Sequence, residues 1–444
     1  MAALLSSILA LLQYFGFSAA FQPWVNNTVL GEAYANLRQR NQFATLTNIG
    51  LAALLWGTMR PAAWGVKRKY LQVALFGSIA LLATGNAASS SRTGLLQAML
   101  LVILSSFWNR LDGRTHEAHA RRILMLTGIV YCLAYGFAVL ILPLLAGLPL
   151  NSSGILARIQ DGSSECSSRL ALWRNVLHLI SQKPWTGWGW GELDYGHFIT
   201  LYPGSRFCEI LDNAHNLPLH FAVELGLPMA ILLCGLAGWL VIRAKPWREV
   251  DATRRLAWAV LALIMLHSML EYPLWYGPFQ VAFMLCVWLL SRSRENAPMP
   301  LTSWVSGLRS IWILVPYLTI AMIGYMAWDY HRISQIYLAS EERSELYRDN
   351  TLGKIRSSWL FRDQVRFAEL TTTEVTQINA HEINTLAKEV LHFSPESRVV
   401  VKVIESAAML GHTDEVLFFS QRFKAAYPQE YERWVKENAH IAGQ

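Results

Sequence analysis

Residues 123–148 read Ile-Leu-Met-Leu-Thr-Gly-Ile-Val-Tyr-Cys-Leu-Ala-Tyr-Gly-Phe-Ala-Val-Leu-Ile-Leu-Pro-Leu-Leu-Ala-Gly-Leu, without one charged side chain. A helix rises about 1.5 Å per residue, so about 20 predominantly apolar residues cross the hydrocarbon layer of a bilayer. This run is long enough. Outward from it, further apolar runs occupy 3–21, 43–59, 70–85, 94–108, 217–242, 256–272, 274–290 and 310–328. Together they predict an all-α, polytopic transmembrane helical bundle of about nine spans. Composition agrees: 53% of the 444 residues are hydrophobic and 16% charged, against about 25% charged in soluble domains. The 18 Trp suit membrane–water interfaces. The first run has no basic n-region and no clear small-x-small cleavage site before the next polar stretch, so it reads as a retained span and not a signal peptide.

Lys and Arg set the orientation. The loops 60–69, 109–122, 243–255 and 291–309 hold sixteen of them; the alternate set, 22–42, 86–93, 151–216 and 273, holds eight over a greater length. Basic residues favour cytoplasmic loops. The first set, and the N-terminus, are therefore expected inside. The 151–216 loop and everything after 328 are expected outside, in the periplasm of a bacterial inner membrane. The net charge of +7 is then a topology signal and not a nucleic-acid-binding surface.

The chain accordingly divides into a transmembrane domain, 1–328, and a helical tail, 329–444. In the tail Leu386, Val390 and Phe393, then Val400, Val403, Ile404, Ala407 and Ala408, recur at helical spacing. Pro395 and Pro428 lie 33 residues apart, a separation that resembles a helix-turn-helix (TPR-like) repeat. Such a tail either grips a protein partner or caps the bundle. Cys166 and Cys208 fall in the large outer loop, where an oxidising compartment permits a bridge between them. Cys132, Cys234 and Cys286 fall in spans and read as packing residues.

Ionisable groups at the ends of spans are costly in lipid and point to function. In Asn213-Ala214-His215-Asn216-Leu217-Pro218, Asn216 suits a helix N-cap and Pro218 the first turn. His215 then stands at the positive pole of a helix, which favours the neutral ring that a general base requires. The bland alternative is a capping His. Arg92, in Ser91-Arg92-Thr93-Gly94, and Arg169, at the head of an amphipathic stretch striped by Leu170, Trp173, Leu177 and Ile180, suit either a lipid-linked pyrophosphate or ordinary headgroups. Trp185-Thr-Gly187-Trp188-Gly189-Trp190-Gly191 supplies tight turns and indole faces, for a sugar or for anchoring. His267 and Glu271 stand four residues apart and share a helix face, as His220 and Glu224 do on the preceding span; such residues read either as structural pairs or as functional groups. Tyr272, before Pro273, is placed to bond a substrate.

No outer loop holds an Asp-x-Asp pair or a Cys/His quartet at zinc spacing. Nor is there a Walker, dinucleotide-binding or Gly-x-Ser-x-Gly pattern. A metal and a cofactor are therefore not expected, and the energy for any transfer must come from an activated substrate. A transporter or flippase, the reading from another class, predicts repeated broken spans and a midplane polar site. Here the ionisable groups gather at the outer ends and no internal repeat is visible.

Taken in order, these stretches resemble the bacterial O-antigen ligase and polymerase superfamily, and most of all its protein O-oligosaccharyltransferase branch, the pilin-type glycosylation ligases. The resemblance rests on Asn36-Leu37-Arg38-Gln39-Arg40-Asn41-Gln42-Phe43-Ala44-Thr45, Ser91 to Gly94, Arg169 to Trp173, Pro184 to Gly191, Asp212 to Pro228, and Glu271-Tyr272-Pro273-Leu274-Trp275-Tyr276. It implies metal-independent transfer of a glycan from undecaprenyl pyrophosphate to an acceptor hydroxyl. By motif, His215 matches the family's base, and Arg92 and Arg169 its pyrophosphate-binding arginines. Gln39 and Tyr272 match positions of the protein-ligase branch. Asn216 and Glu271 join them as substrate-binding candidates. The implied acceptor is a periplasmic, pilin-like protein; lipid A-core ligation and O-antigen polymerisation are the alternatives with the same donor. Two departures stand out. Family members usually carry several more N-terminal spans, whereas this chain starts just before the Asn-Leu-x-Gln element, as a shortened or compact member would. Arg40 stands where proline is common.

Overall fold

The computed structural model describes residues 1–58, 68–111, 117–149, 165–291 and 304–438. Arg60, Lys67, Arg114, Arg158, Arg292 and Arg294, which entered the orientation argument, lie outside the described residues. All regular structure among the described residues is helical. In chain order the helices are α1 (Ala2–Tyr14), α2 (Arg40–Thr58), α3 (Arg68–Ala88), α4 (Arg92–Leu111) and α5 (Glu117–Leu145). Then come α6 (Arg169–Gln182), α7 (Leu193–Ile199), α8 (Leu217–Leu225), α9 (Leu227–Ala244), α10 (Ala252–Ser268) and α11 (Gly277–Ser291). The last are α12 (Trp304–Ser334), α13 (Thr351–Ile355), α14 (Arg362–Thr372), α15 (Ala380–Phe393), α16 (Ser397–Met409), α17 (Thr413–Ala426) and α18 (Pro428–Glu437).

Among the described residues, Lys69–Ala88, Arg122–Leu145 and Leu227–Arg248 are long and apolar enough to cross a membrane; Ala2–Tyr14, Arg92–Trp108 and Gly277–Ser291 are apolar but shorter. Two expected spans are corrected. The 3–21 run stops being α-helical at Tyr14, because Gly16 turns left-handed (φ +76°) and a 3-10 turn follows at Phe17–Phe21. The 217–242 run is two helices, α8 and α9, broken at Gly226 (φ +83°).

The chain forms two compact units. The first comprises Met1–Ser168, Asn213–Ala222 and Leu227–Arg294; the second comprises Arg169–Asp212, Val223–Gly226 and Glu295–Gln444. Arg169–Asp212 thus groups with the tail, where the sequence reading drew its boundary at 328. Apolar burial is the reason. Phe198 of α7 shares one core with Phe367, Val390, Leu391, Val403 and Phe423, and Tyr195 and Ile199 pack against it. The tail's helical stripe lies in that core at Val390, Val400, Val403, Ile404 and Ala407, while Phe393 stays exposed and packs its ring edge-on to Phe367.

The first unit inverts the pattern of a water-soluble protein. It buries Gln42, Thr45, Thr47, Asn48, Asn86, Gln97 and His267. It exposes Ile231, Leu232, Leu236, Trp239, Leu240 and Ile242 along α9, which buries Ala230 alone. In lipid, polar side chains gain by facing other helices and apolar ones lose nothing by facing outward. The buried polar groups knit the helices together. Asn48 Nδ2 donates to Gly94 O (2.8 Å), Gln97 Nε2 to Leu263 O (2.9 Å), and Asn86 Nδ2 to the Tyr131 hydroxyl (2.8 Å). Interhelical bonds of this kind contribute about 0.6 kcal/mol each. Gly94 makes the approach possible: a Cβ there would stand 2.6 Å from Ala44 Cβ and 2.4 Å from Asn86 Oδ1.

Candidate active site

Two turns of the first unit meet at one carboxylate. The earlier turn is held by buried Gln13, whose Nε2 donates to Asn26 O (2.9 Å) and Ala35 O (2.8 Å) while its Oε1 accepts the Tyr34 N–H (3.1 Å). This fixes the segment that delivers Gln39 and Asn41 to the start of α2. Arg40 pairs with Glu32 at the surface. That accounts locally for the departure from proline, and an exposed pair of this kind contributes at most about 1 kcal/mol.

The later turn carries His215. Its backbone is left-handed (φ +51°), and Asn213 Oδ1 accepts its N–H at 2.8 Å. Asn216 caps α8 by accepting the Leu219 N–H at 3.1 Å. Its Nδ2 donates to Met269 O at 3.0 Å. Asn216 therefore engages both ends of its amide inside the protein and pins the start of α8 to the turn after α10.

That turn presents Glu271, which is 6% exposed. Its Oε2 lies 2.8 Å from His215 Nδ1 and 3.2 Å from Gln39 Nε2; its Oε1 lies 3.3 Å from Asn41 Nδ2. His267 and Glu271 keep a backbone link, the Glu271 N–H donating to His267 O at 2.8 Å, while each side chain has a hydrogen-bond partner elsewhere. α10 ends at Ser268, so Glu271 lies beyond the helix. His267 Nδ1 meets Thr45 Oγ1 at 2.8 Å. Tyr272 sets its ring edge-on to His215 (centroids 4.9 Å apart) and stacks on Tyr276 (6.0 Å).

Arg92 is the first residue of α4 and is exposed. Ser91 caps that helix, accepting the Gly94 N–H at 2.9 Å and donating to Asn41 Oδ1 at 2.6 Å. Gln39, His215, Asn216, Glu271 and Tyr272 thus belong to one neighbourhood, and Arg92 follows Ser91, which is bonded to it through Asn41. Sequence reasoning missed Asn41 and Ser91 as its links, although both stood in the quoted motifs. Ser91 three residues before Gly94 was the legible cap signal.

Arg169 belongs to the second unit, exposed at the head of α6. That helix buries Ala171, Leu172, Asn175, Val176, Leu179 and Ile180, leaving Leu170 and Leu177 exposed. Of the expected stripe, Ile180 therefore turns inward. In the Trp-Gly stretch, Trp185 and Trp190 are exposed. Trp188 is structural: its Nε1 donates to Leu179 O at 3.0 Å and the Lys183 ammonium lies 4.1 Å from its ring. The loop is laced to the end of α8 by Trp188 N–H to Val223 O (2.9 Å) and Gly189 N–H to Glu224 O (3.0 Å).

Two titratable groups of α7 are strongly perturbed. Burial, with Glu192 and Asp212 nearby, pushes the Asp194 carboxyl up to about 7. Burial and then the Arg206 cation push His197 down to about 3. His197 is a neutral linker: Nδ1 accepts from the Tyr202 hydroxyl (2.8 Å) and Nε2 donates to Phe207 O (3.1 Å). Cys166 and Cys208 are disulfide-bonded, and Cys132, Cys234 and Cys286 are free.

Three family profiles match in succession: "Protein glycosylation ligase" over 33–56, "O-Antigen ligase" over 77–234, and "Virulence factor membrane-bound polymerase, C-terminal" over 255–442. The chain is 26% identical over 393 residues to a general O-oligosaccharyltransferase of Acinetobacter baylyi, covering 85% of this chain and 64% of that protein. It is 26% identical over 274 residues to a ComP-specific O-oligosaccharyltransferase of the same organism, covering 60% of this chain and 45% of that protein. The chain thus spans less than two thirds of the length of either relative. With its matched segments in this order, the chain is similar to the O-antigen ligase family and to O-oligosaccharyltransferases over most of its length.

Proposed function

We propose that this protein is a glycosyl-transferring enzyme of the bacterial inner membrane. It moves an oligosaccharide from undecaprenyl pyrophosphate to a Ser or Thr hydroxyl of a periplasmic, pilin-like protein, with its site facing the periplasm. The observation that carries the reading is the 2.8 Å contact between His215 Nδ1 and Glu271 Oε2. An ionised carboxylate accepts only, so Nδ1 bears the proton and Nε2 keeps its lone pair. A histidine in that tautomer takes the proton of the acceptor hydroxyl as its oxygen attacks the anomeric carbon. The bond from that carbon to the pyrophosphate oxygen breaks, the leaving group keeps the electron pair, and the anomeric centre inverts. Arg92 and Arg169 receive the growing negative charge on the departing pyrophosphate.

The decisive test supplies the purified protein with a lipid-pyrophosphate-linked oligosaccharide and an acceptor protein. Transfer that is lost in His215→Ala, with the variant still inserted in membranes, is the expected result. Undiminished transfer by that variant would overturn the assignment of the base.

The match to the O-antigen ligase profile over 77–234 favours a second reading that differs in acceptor alone: lipid A-core or a growing glycan. A deletion strain separates the two. Loss of glycan mass from periplasmic proteins supports the first, and a shortened lipopolysaccharide ladder with unchanged protein masses supports the second.

A further inference from the structure

The proposed mechanism leaves one polar link of the first unit without a task, the side chain of Asn41. Its orientation is set by its partners. Ser91 Oγ accepts the Gly94 N–H at 2.9 Å, so its own hydrogen is free to go to Asn41 Oδ1, 2.6 Å away. That fixes the carbonyl end of the amide, and Nδ2 faces Glu271 Oε1 at 3.3 Å. The other carboxylate oxygen receives Gln39 and His215. Donors therefore run in one direction, from the N-terminus of α4 through Ser91 and Asn41 into Glu271, and such chains strengthen one another. Ser91 and Glu271 are both buried, which keeps water from substituting for a lost link. Asn41 itself is held by its backbone carbonyl, which accepts from Thr45 Oγ1 at 2.9 Å.

We propose that Asn41 is a positioning residue that joins the turn bearing Arg92 to the carboxylate that orients His215. By occupying Glu271 Oε1 it reserves Oε2 for the imidazole. Through Ser91 it makes the placement of the α4 start depend on the same amide. Donor engagement and base orientation are then two readouts of one side chain. The inference rests on the reading of His215 as base and Arg92 as a ligand of the donor pyrophosphate.

The test uses the full chain in detergent with a polyprenyl-pyrophosphate-linked oligosaccharide and an acceptor protein. Asn41→Leu keeps the volume and removes both bonds. It should lower kcat about 10- to 100-fold, the range for lost supporting contacts around a reactive group. It should also raise the donor KM and leave the acceptor KM unchanged. Asn41→Asp retains an acceptor for Ser91 but sets a second carboxylate against Glu271. Asn41→Asp should therefore lower kcat through the disturbed carboxylate while leaving the donor KM closer to the wild-type value than Asn41→Leu does, because the Ser91 contact is kept. Ser91→Ala should raise the donor KM, and Ser91→Thr should recover most of that loss. The proposal is overturned if Asn41→Leu keeps kcat within about twofold of the wild type. It is equally overturned if that variant loses only active fraction, both KM values staying in place. Should the Asn41 variants fail to fold, equal behaviour of Ser91→Ala and Ser91→Thr overturns it. Absence of transfer by the wild-type protein overturns the enzyme reading and the inference together, whereas transfer with an unaffected Asn41→Leu overturns the inference alone.

Discussion

Glu271 lies against the Nδ1 side of His215 at 2.8 Å, across 56 positions of sequence. The carboxylate is buried and takes three donors, from His215, Gln39 and Asn41. Glu271→Gln preserves the shape but places an amide N–H where an acceptor is needed, or forces the ring into the wrong tautomer. Loss of the orienting carboxylate in an acid–base pair costs up to about 10⁴-fold in rate. We expect a fall of at least about 10²-fold in kcat, with the acceptor KM nearly unchanged, measured by initial rates of glycan transfer.

Arg92 and Arg169 carry the same proposed role. Alanine at either position should raise the donor KM, and lysine should recover only part of the loss, because an ammonium cannot present the bidentate fork of a guanidinium. A shift of about tenfold in donor KM for each alanine variant is expected from two charge-assisted bonds. Titration with lipid-linked donor at fixed acceptor measures it, and an unchanged donor KM at either position would remove that arginine from the site.

Gly187 and Gly226 lie back to back in the second unit. A Cβ on Gly187 (φ +68°) would stand 2.2 Å from Glu224 O, and one on Gly226 (φ +83°) 2.3 Å from Trp185 O. The Glu224 oxygen accepts the Gly189 N–H and cannot move without loosening the loop from α8. Gly187→Ala should therefore destabilise this segment by about 2–3 kcal/mol, combining left-handed strain with the clash. Faster hydrogen exchange in peptides from 183–192 would report it.

The two perturbed groups of α7 set a pH dependence. The Asp194 carboxyl is raised to about 7, so its contribution is intact below the unfolded carboxylate value and is lost as pH rises through about 7. His197 is depressed to about 3, so its contribution is intact above the unfolded imidazole value and is lost as pH falls towards about 3. Asp194→Asn keeps an acceptor for the Tyr195 N–H, which Asp194 Oδ1 receives at 2.7 Å. The variant should protect the 193–207 segment more than wild type does near pH 8, with the difference gone near pH 4. Hydrogen exchange of the full chain at the two pH values checks this, after correction for the intrinsic rates.

The cysteines make a chemical prediction. Denaturing alkylation without reductant should modify Cys132, Cys234 and Cys286, and prior reduction should add Cys166 and Cys208. Intact mass reads the difference. Modification of all five without reduction would remove the disulfide.

Much of this protein was legible in its sequence. Helical character and apolar length are local properties, so α3, α5 and α9 fall on runs visible to the eye. The break at Gly226 also had a local signal, a glycine two residues before Pro228, because a left-handed residue ends a helix and proline suits the first turn of the next. His215, Asn216 and the start of α8 were likewise readable from capping chemistry. The grouping of Arg169–Asp212 with the tail was not, since it comes from Phe198 and its neighbours entering a core built some 170 residues later. Nor was the partner of Glu271. Spacing alone assigns Glu271 to His267, on the assumption that the helix continues. The tertiary structure ends α10 at Ser268 and turns the carboxylate towards Gln39, Asn41 and His215, from two segments that no periodicity connects. Sequence determines which residues a helix end presents; only packing decides which other turn arrives within hydrogen-bond distance.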